Sequence, residues 1–321
     1  MNEYSTEIND FQQALHAVER LISETSKAII GKEEVIRMTI AAILSSGHVL
    51  FDDIPGVGKT TLVRALARAL GMEFTRIQFT PDLMPADIIG TSVYKQSTND
   101  FTFHKGPIFS TIILADEINR ATPQTQSALL EAMSDYSVTV DNRRYDLDPD
   151  FFVLGTENPL AFEGTYPLPE AQLDRFMMRL TIGYPDLEDE YRLLFQNDLK
   201  SQLSNINKVS NLLELHSLKK LVKSVHLEGN VASYILNLVV ATRSQPEIKL
   251  GVSPRGSLAL VHAAKAYAVT KGENYVSPET VQQVFLPVLS HRIIIEDEYF
   301  EEMQPEDVLQ NIIQQVEVPV I

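Results

Sequence analysis

A glycine-rich segment that ends in Lys and Thr has the clearest chemical meaning in the sequence. It runs from Phe51 to Thr61 and reads Phe-Asp-Asp-Ile-Pro-Gly-Val-Gly-Lys-Thr-Thr. Gly56 and Gly58 let successive backbone N–H groups converge on phosphate oxygens, because neither residue puts a Cβ in the way. Lys59 can then reach the β- and γ-phosphates, and the Thr60 hydroxyl can take one coordination position on Mg²⁺. The segment therefore predicts a phosphate loop that binds a nucleotide.

The flanking sequence supports this prediction, although the motif itself is incomplete. An apolar run, His48 to Phe51, precedes the loop, and an amphipathic segment, Leu62 to Leu70, follows it, so the glycines lie at a strand-to-helix turn. Asp53 stands where the pattern G-x-x-x-x-G-K-[ST] has its first glycine. The alternative is a Gly/Pro turn with an exposed lysine. The predicted nucleotide-binding residues of the loop are Pro55, Gly56, Val57, Gly58, Lys59, Thr60 and Thr61.

Polar residues at the ends of two apolar runs could complete the chemistry. Thr111 to Ala115 is typical of a strand buried on both faces, and it ends in Asp116 and Glu117. A carboxylate at this position can hold Mg²⁺ through water, and its neighbour can activate the attacking water. Asn158 follows the next apolar run and could orient that water. The alternatives are a solvated sheet edge for the acidic pair and a turn cap for Asn158.

Two arginines and one apolar segment are further candidates. Arg175 and Arg255 lie near predicted helix termini, and a guanidinium group can stabilise a phosphoryl group during its transfer. For either arginine alone, the alternative is a structural salt bridge. Ile30 and Gly31 belong to a break between two predicted helices ahead of the loop, where they could form an adenine pocket. Core packing explains the isoleucines at positions 29 and 30 equally well.

Composition limits the classes of protein to consider. The chain has 321 residues, 44% of them hydrophobic and 22% charged, which indicates a globular protein of about two domains. The absence of cysteine excludes disulfides and thiolate chemistry. The net charge of −16 opposes extensive binding to nucleic acid or to an anionic membrane surface. With no apolar span and no signal sequence evident, we expect a cytoplasmic protein without membrane insertion.

The candidate residues require a parallel sheet that brings strand ends together. Helices are expected from Phe11 and from Glu33 to about Ser45. Buried strands then alternate with helices up to Ile182, which predicts an α/β fold with right-handed crossovers. Two hairpins are predicted within Gly90–Pro107 and Ser137–Pro149, and the segment from Pro81 to Gly90 is expected to be irregular. A helix is predicted over Pro167 to Phe176.

From about Asp186 the pattern becomes helical throughout. Amphipathic segments follow one another, and the last of them, Pro278 to Leu289, has Ser277 as its predicted N-cap. We therefore expect residues 1–185 to form the nucleotide-binding α/β domain with two inserted hairpins. Residues 186–321 are expected to form a small all-helical lid domain.

Taken together, the motifs resemble those of the MoxR family of AAA+ ATPases. They span most of the chain and are Asp52–Thr60, Gly106–Phe109, Ala115–Ala121, Gln126–Met133, Glu163–Phe176 and Ser253–Arg255. Asp53 in place of glycine is itself typical of MoxR proteins. The resemblance implies a Walker A motif at Gly58, Lys59 and Thr60, a Walker B motif at Asp116 and Glu117, and sensor 1 at Asn158. It also implies an arginine finger at Arg175, acting on the neighbouring subunit's nucleotide, and sensor 2 at Arg255 in the lid.

The same resemblance implies an activity and an assembly. MoxR-like proteins are chaperone-like ATPases that use ATP and Mg²⁺ to mature or remodel partner proteins, commonly with a partner that carries a von Willebrand factor A domain. The resemblance also implies that they assemble as hexameric rings and are related to the magnesium-chelatase ATPase subunit. In such a ring we expect ATP between the sheet domain and the lid of one chain, with Arg255 from that lid and Arg175 from the next chain. The sequence does not specify the client.

Two other functions are compatible with the motifs. A nucleic-acid-associated ring motor would use hairpins to grip DNA, and Arg143 and Arg144 near a predicted hairpin tip favour it slightly. The surrounding acidic residues weigh against it. A scaffold that binds ATP without turnover would not need Glu117, Asn158 and Arg175. The seven histidines show no paired-ligand spacing, so no metal site made of protein ligands alone is predicted.

Overall fold

The computed structural model describes residues 7–54, 56–97, 99–157, 165–195, 203–299 and 303–320. Two helices come first: α1, Phe11–Ser26, and α2, Glu33–Leu44. Asp10 is the N-cap of α1, since its carboxylate accepts the backbone N–H of Gln13 at 2.8 Å. The predicted starts of both helices are confirmed.

Five parallel strands form the central sheet. They are β1 (His48–Asp52), β2 (Phe74–Gln78), β5 (Ile112–Asp116), β8 (Phe152–Glu157) and β9 (Phe176–Leu180), in the order β2-β5-β8-β1-β9. Parallel pairing places the carboxyl ends of β1, β5 and β8 at one edge of the sheet. The predicted α/β fold with a parallel sheet is confirmed.

The sheet is covered on both faces. In β1, Val49 and Phe51 belong to one hydrophobic cluster and Leu50 to a second, as alternation along a strand requires. The first cluster includes residues of α1, α2 and α3 (Lys59–Leu70), and the second includes residues of α5 (Pro123–Asp135). Two layers of helices therefore bury the sheet and leave its strand ends free to carry a site.

Both predicted hairpins are present. The first pairs β3 (Gly90–Lys95) with β4 (Asp100–Lys105), and the second pairs β6 (Ser137–Val140) with β7 (Arg143–Asp146). Asp141 and Asn142 connect the second pair with φ angles of 50° and 60°, which suits a tight two-residue hairpin turn. At its tip, Arg144 donates to Asp146 at 3.2 Å, so that part of its charge is already paired within the hairpin.

Two local predictions were incomplete or wrong. The segment expected to be irregular contains a short helix, α4 (Pro85–Ile89), in which Asp87 accepts the backbone N–H of Met84. The helix expected over Pro167 to Phe176 is limited to α6 (Glu170–Leu173). Both segments are short, and their conformation depends on packing rather than on a long hydrophobic period.

The rest of the chain is mainly helical. Among the described residues, its longer helices are α7 (Leu187–Leu194), α8 (Leu212–Ser224), α9 (Gly229–Thr242), α10 (Pro254–Thr270), α11 (Pro278–Leu289) and α12 (Pro305–Gln315). Ser277 caps α11 as predicted. A small antiparallel ribbon, β10 (Ile248–Leu250) with β11 (Ile294–Ile295), was not predicted, because strands of three and two residues carry little periodicity.

The helical part packs against the first helices of the chain. Tyr267 on α10 donates its hydroxyl to Glu34 at 2.7 Å, and Arg37 donates to the carbonyl of Thr270 at 2.8 Å. Arg20 and Glu214 add an ion pair at 3.2 Å. The boundary at residue 185 stays a prediction. Among the described residues, no helix combines the length and apolar character needed to cross a membrane.

Candidate functional site

The glycine-rich loop and the strand ends beside it enclose one cavity of about 350 Å³. Gly56 and Gly58 have φ angles of 91° and 96°, a conformation that glycine adopts at little cost, and α3 begins directly afterwards at Lys59. The cavity is lined by Gly56, Gly58, Lys59, Thr60, Thr61, Arg76, Asp116, Glu117 and Thr156. Residues that are up to 100 positions apart therefore meet at the predicted place.

Lys59 folds back onto the start of its own loop. Its ammonium group donates to the carbonyl oxygen of Asp53 at 2.6 Å. Burial lowers the pKa of Lys59, and the nearby carboxylates of Asp53 and Asp116 partly oppose that effect. The lysine thus carries its charge at the cavity wall, where a phosphate could replace the carbonyl as its partner.

Asp53 has a structural role that explains why it replaces the expected glycine. Its side chain is buried, and one carboxylate oxygen accepts the backbone N–H groups of Ile182 and Gly183 at 2.6 and 2.8 Å. The other oxygen accepts the N–H of Ile54 at 2.9 Å. These three hydrogen bonds from backbone donors offset the cost of burying the carboxylate. The two from Ile182 and Gly183 also join the loop to the turn that follows β9.

The acidic pair at the end of β5 is held from β8. Thr156 donates its hydroxyl to Asp116 at 2.7 Å and accepts the backbone N–H of Glu117 at 2.8 Å. Glu117 has the left-handed angles φ 56° and ψ 53°, which are uncommon for a residue with a side chain. Thr156 was missed as a functional residue, although its place in the sequence, two residues before Asn158 and at the end of an apolar run, was a usable signal.

Two side chains on β2 also reach the acidic pair. Arg76 donates through Nε to Asp116 at 2.9 Å, and Gln78 donates to Glu117 at 3.1 Å. Arg120 pairs with Glu117 from the other side at 2.8 Å. Neither β2 residue was predicted, because only the pairing of β2 with β5 shows that they face this site.

The oxygen donors at the cavity fit Mg²⁺ bound together with a nucleotide. Thr60 and Asp116 both line the cavity, and hydroxyl and carboxylate oxygens are suitable ligands for this ion. Among the described residues, no three His, Asp or Glu side chains form a cluster that could hold a metal by themselves. Phosphate oxygens and water would therefore supply the remaining ligands.

Two predicted residues, Pro55 and Asn158, lie outside the described residues. The residue before Asn158 is Glu157, which is paired across the sheet with Asp52. Burial raises the pKa of Glu157 to about 7, and the negative charge of Asp52 acts in the same direction. The carboxyl end of β8 therefore holds a carboxyl group that can change its charge near neutral pH.

The apolar segment ahead of the loop lies beside the cavity. A Cβ on Gly58 would come within 2.9 Å of Ile29, and a Cβ on Gly31 would meet the carboxylate of Asp189 at 1.7 Å. Lys32 donates to the carbonyl of Tyr184 at 2.8 Å. Ile30 is half-buried and neither it nor Gly31 lines the described cavity, so their adenine contact stays a prediction.

Arg175 lies where the strands of the sheet begin, opposite the carboxyl ends that form the cavity. It precedes β9, whose first residue, Phe176, is paired with His48 at the start of β1, whereas the phosphate loop follows the end of β1. Arg175 donates to the carbonyl of Leu130 at 2.9 Å and to the hydroxyl of Ser134. Its Nε is buried and has no hydrogen-bond partner among the described residues.

Arg255 does not lie at the cavity of its own chain. The family motif predicts that it covers the nucleotide from the lid, but the structure places it 3.7 Å from Asp174, with Arg175 lining the same depression. The reason is that the start of α10 packs near the amino end of β9. In this structure Arg255 therefore lies away from the cavity of its own chain, and its contact with a nucleotide stays a prediction.

A second pair of lid residues holds β9 itself, and the sequence did not single it out. Arg292 donates to Asp174 at 2.8 Å and to the carbonyls of Phe176 and Met177 at 2.7 and 3.1 Å. His291 also contacts the carbonyl of Phe176 at 3.0 Å. Because β9 is an edge strand, these lid residues satisfy carbonyl groups that no neighbouring strand pairs.

Comparison with known proteins agrees with this geometry. Residues 48–178 match the family model described as the ATPase family associated with various cellular activities (AAA), and residues 240–312 match the model of the AAA lid domain. A crystal structure described as a "putative ATPase" from Cytophaga hutchinsonii superposes with a TM-score of 0.86 at 35% identity, covering 97% of both chains.

Curated relatives share nearly the whole chain. Chaperone MoxR1 of Mycobacterium tuberculosis is 37% identical over 95% of this chain and 83% of its own length. Protein MoxR of Methylorubrum extorquens is 30% identical over 96% of this chain and 95% of its own. A Bacillus subtilis protein, YeaC, described as uncharacterized, is 44% identical over 97% and 98%.

Proposed function

The chain belongs to the MoxR family of AAA+ ATPases, and from that premise we propose that it hydrolyses Mg²⁺-bound ATP to remodel a partner protein. One observation supports the ATPase part of the proposal above all. Lys59, Thr60, Asp116 and Glu117, from two separate strand ends, line one cavity of suitable size and polarity.

Each of these residues has a place in phosphoryl transfer. Backbone N–H groups of the glycine-rich loop and the Lys59 ammonium bind the phosphates, and Thr60 and Asp116 hold Mg²⁺. The metal supplies positive charge that offsets the charge of the transferring phosphoryl group. Glu117 accepts a proton from the attacking water, and the hydroxyl of Thr156 together with Gln78 and Arg120 orients that residue.

The arginines at the other edge of the sheet support a proposal for assembly. β1 has five residues and so separates the two edges by about 16 Å. Arg175 and Arg255 are therefore suited to act on the nucleotide of a neighbouring copy, and not on their own. In our proposal both arginines act between chains of a ring, whose six copies the family resemblance implies.

The client, and a partner with a von Willebrand factor A domain, belong to the same proposal and derive from the family resemblance. Chaperone MoxR1 carries the chaperone role in its name. The two antiparallel hairpins, β3–β4 and β6–β7, are candidate contact elements, since the first exposes Val93, Tyr94 and Phe101.

ATP turnover by the purified protein tests the proposal. We expect Mg²⁺-dependent release of phosphate, and Glu117→Gln should slow it by about 10²–10⁴-fold while ATP binding is retained, because a general base contributes about that much. Glu131→Gln removes an exposed carboxylate from α5 and serves as the matched control, with turnover unchanged.

Two results would contradict the proposal. ATP binding with no turnover in assembled wild-type protein would favour the scaffold function. Turnover that DNA stimulates in a salt-sensitive manner would favour the nucleic-acid motor instead.

A further inference from the structure

Arg76 occupies a position at the cavity that the family motifs do not explain. It lies in the middle of β2, and its side chain is 42% exposed, yet it extends along the sheet to Asp116 on β5. Its guanidinium lines the same cavity as Lys59 and Thr60. Arg76 is partly exposed to solvent, yet it binds Asp116, the carboxylate that we propose holds the metal. This contact suggests that Arg76 has a role beyond that of a surface ion pair.

The hydrogen bonds of Asp116 show what Arg76 does in this state. One carboxylate oxygen accepts the Thr156 hydroxyl at 2.7 Å, and the other accepts Arg76 at 2.9 Å. Both oxygens are therefore engaged, and the oxygen on the Arg76 side already has a positive partner. A magnesium ion held near this oxygen would be repelled by the guanidinium, since like charges in a partly desolvated cavity interact strongly.

A guanidinium that leaves Asp116 needs another anion within reach. Arg76 has one further partner on its own strand, the amide oxygen of Gln78, which carries no charge. The terminal phosphate, which Lys59 and Mg²⁺ also contact, is the negative group that enters this cavity together with the metal. The planar donor fork of arginine suits phosphate oxygens.

We propose that Arg76 is a second cationic ligand of the γ-phosphate, which exchanges Asp116 for that phosphate when Mg²⁺ and ATP bind. This inference rests on the proposed ATPase function and deepens it. ADP lacks the γ-phosphate, so an ADP-bound site offers Arg76 no phosphate group in exchange for Asp116. Arg76 therefore makes the site distinguish ATP from ADP.

Equilibrium binding tests this proposal without relying on turnover. Displacement of a fluorescent ADP analogue by ATPγS and by ADP, in the presence of Mg²⁺, gives both affinities for wild type and for Arg76→Gln. We expect ATPγS affinity to fall by about 10–100-fold, the effect of one lost charge-assisted hydrogen bond, and ADP affinity to stay within about twofold. Arg144→Gln removes an exposed arginine that pairs with Asp146 and does not line the cavity. It is the control, with both affinities unchanged.

Other outcomes separate the possible failures. Equal changes in ATPγS and ADP affinity would show that Arg76 only positions Asp116, and would overturn the proposal. If wild-type protein binds neither nucleotide, the proposed ATPase function fails first. Should Arg76→Gln not fold, Arg76→Lys keeps the charge without the fork, and the same selective loss of ATPγS affinity is expected at about tenfold.

Discussion

The parallel sheet has a carboxyl edge, where its strands end, and an amino edge, where they begin. The two differ in the charge of their side chains, in backbone conformation and in how many polar groups have hydrogen-bond partners. At the carboxyl edge, Asp116 and Glu117 line a cavity, Glu157 ends the neighbouring strand β8, and the backbone of Glu117 has left-handed angles. At the amino edge, Arg175, Arg255 and Arg292 gather around Asp174 and the carbonyls of β9.

The difference suggests that each chain carries two halves of different sites. The carboxyl edge has the groups to which we assign phosphate binding, metal binding and activation of water. The amino edge has guanidinium groups, of which that of Arg255 is 60% exposed, and a guanidinium can stabilise negative charge in a transition state. A site with both kinds of group then requires two copies of the chain in head-to-tail contact, an arrangement that closes into a ring when the rotation permits.

The strongest test of this comparison is Arg175→Ala. We expect turnover to fall by about 10³-fold or more in assembled protein, while ATP binding stays near normal, because the finger acts in the transition state. Phosphate release and nucleotide binding measure the two effects. Near-normal turnover would show that the finger lies elsewhere.

Mixing two inactive variants sharpens the same test. In an equal mixture of Arg175→Ala and Glu117→Gln chains, about one interface in four combines an intact Glu117 with an intact Arg175, so activity should return in part. If mixing restores nothing while the chains co-assemble, the two halves do not act across an interface.

A smaller effect should distinguish Arg292, which is buried, from Arg255, which is exposed. The side chain of Arg292 is 3% exposed and that of Arg255 is 60% exposed. We expect Arg292→Met to lower the free energy of unfolding by about 3–5 kcal/mol, since Asp174 and two carbonyls lose a buried partner. Arg255→Met should change it by less than about 1 kcal/mol, while slowing turnover. Urea unfolding measures both, and equal losses would remove the distinction.

The smallest effect concerns the charge of Glu157. Its pKa is raised to about 7 in the folded protein, from the ordinary value of 4.5, so folded protein binds more protons than unfolded protein between these values. Stability should therefore fall as pH rises from 4.5 to 7, by at most about 3 kcal/mol for a shift of this size.

Glu157→Gln removes the penalty, because an amide stays neutral. Relative to wild type, this variant should be more stable at pH 8, with the difference fading below about pH 5. Glu131→Gln, on the exposed side of α5, should show no such trend. A stability difference that is the same at all pH values would mean that folding does not raise the pKa of Glu157.

Much of the carboxyl edge was predictable because its signals are local. The glycines of the phosphate loop and the apolar run ahead of Asp116 each determine their own conformation within a few residues. A parallel sheet then brings strand ends together whatever the details of the helices. For this reason the cavity contains the predicted Lys59, Thr60, Asp116 and Glu117.

The remaining features depend on contacts between distant segments. Arg76 and Gln78 face the site only because β2 pairs with β5, and Arg255 lies near Asp174 because the start of α10 packs beside β9. The β10–β11 ribbon joins segments about 45 residues apart. No hydrophobic period or turn signal in these segments specifies such partners, so local patterns could not predict them.

The hydrogen bonds of Asp53 restrict how the phosphate loop can move. Its carboxylate joins the first residues of the phosphate loop to Ile182 and Gly183, and α7 begins only a few residues later, at Leu187. Any displacement of the loop on loading or release of a nucleotide must either carry that junction with it or break two short hydrogen bonds. The residue that departs from the general motif thus links the phosphate loop directly to the part of the chain beyond the sheet.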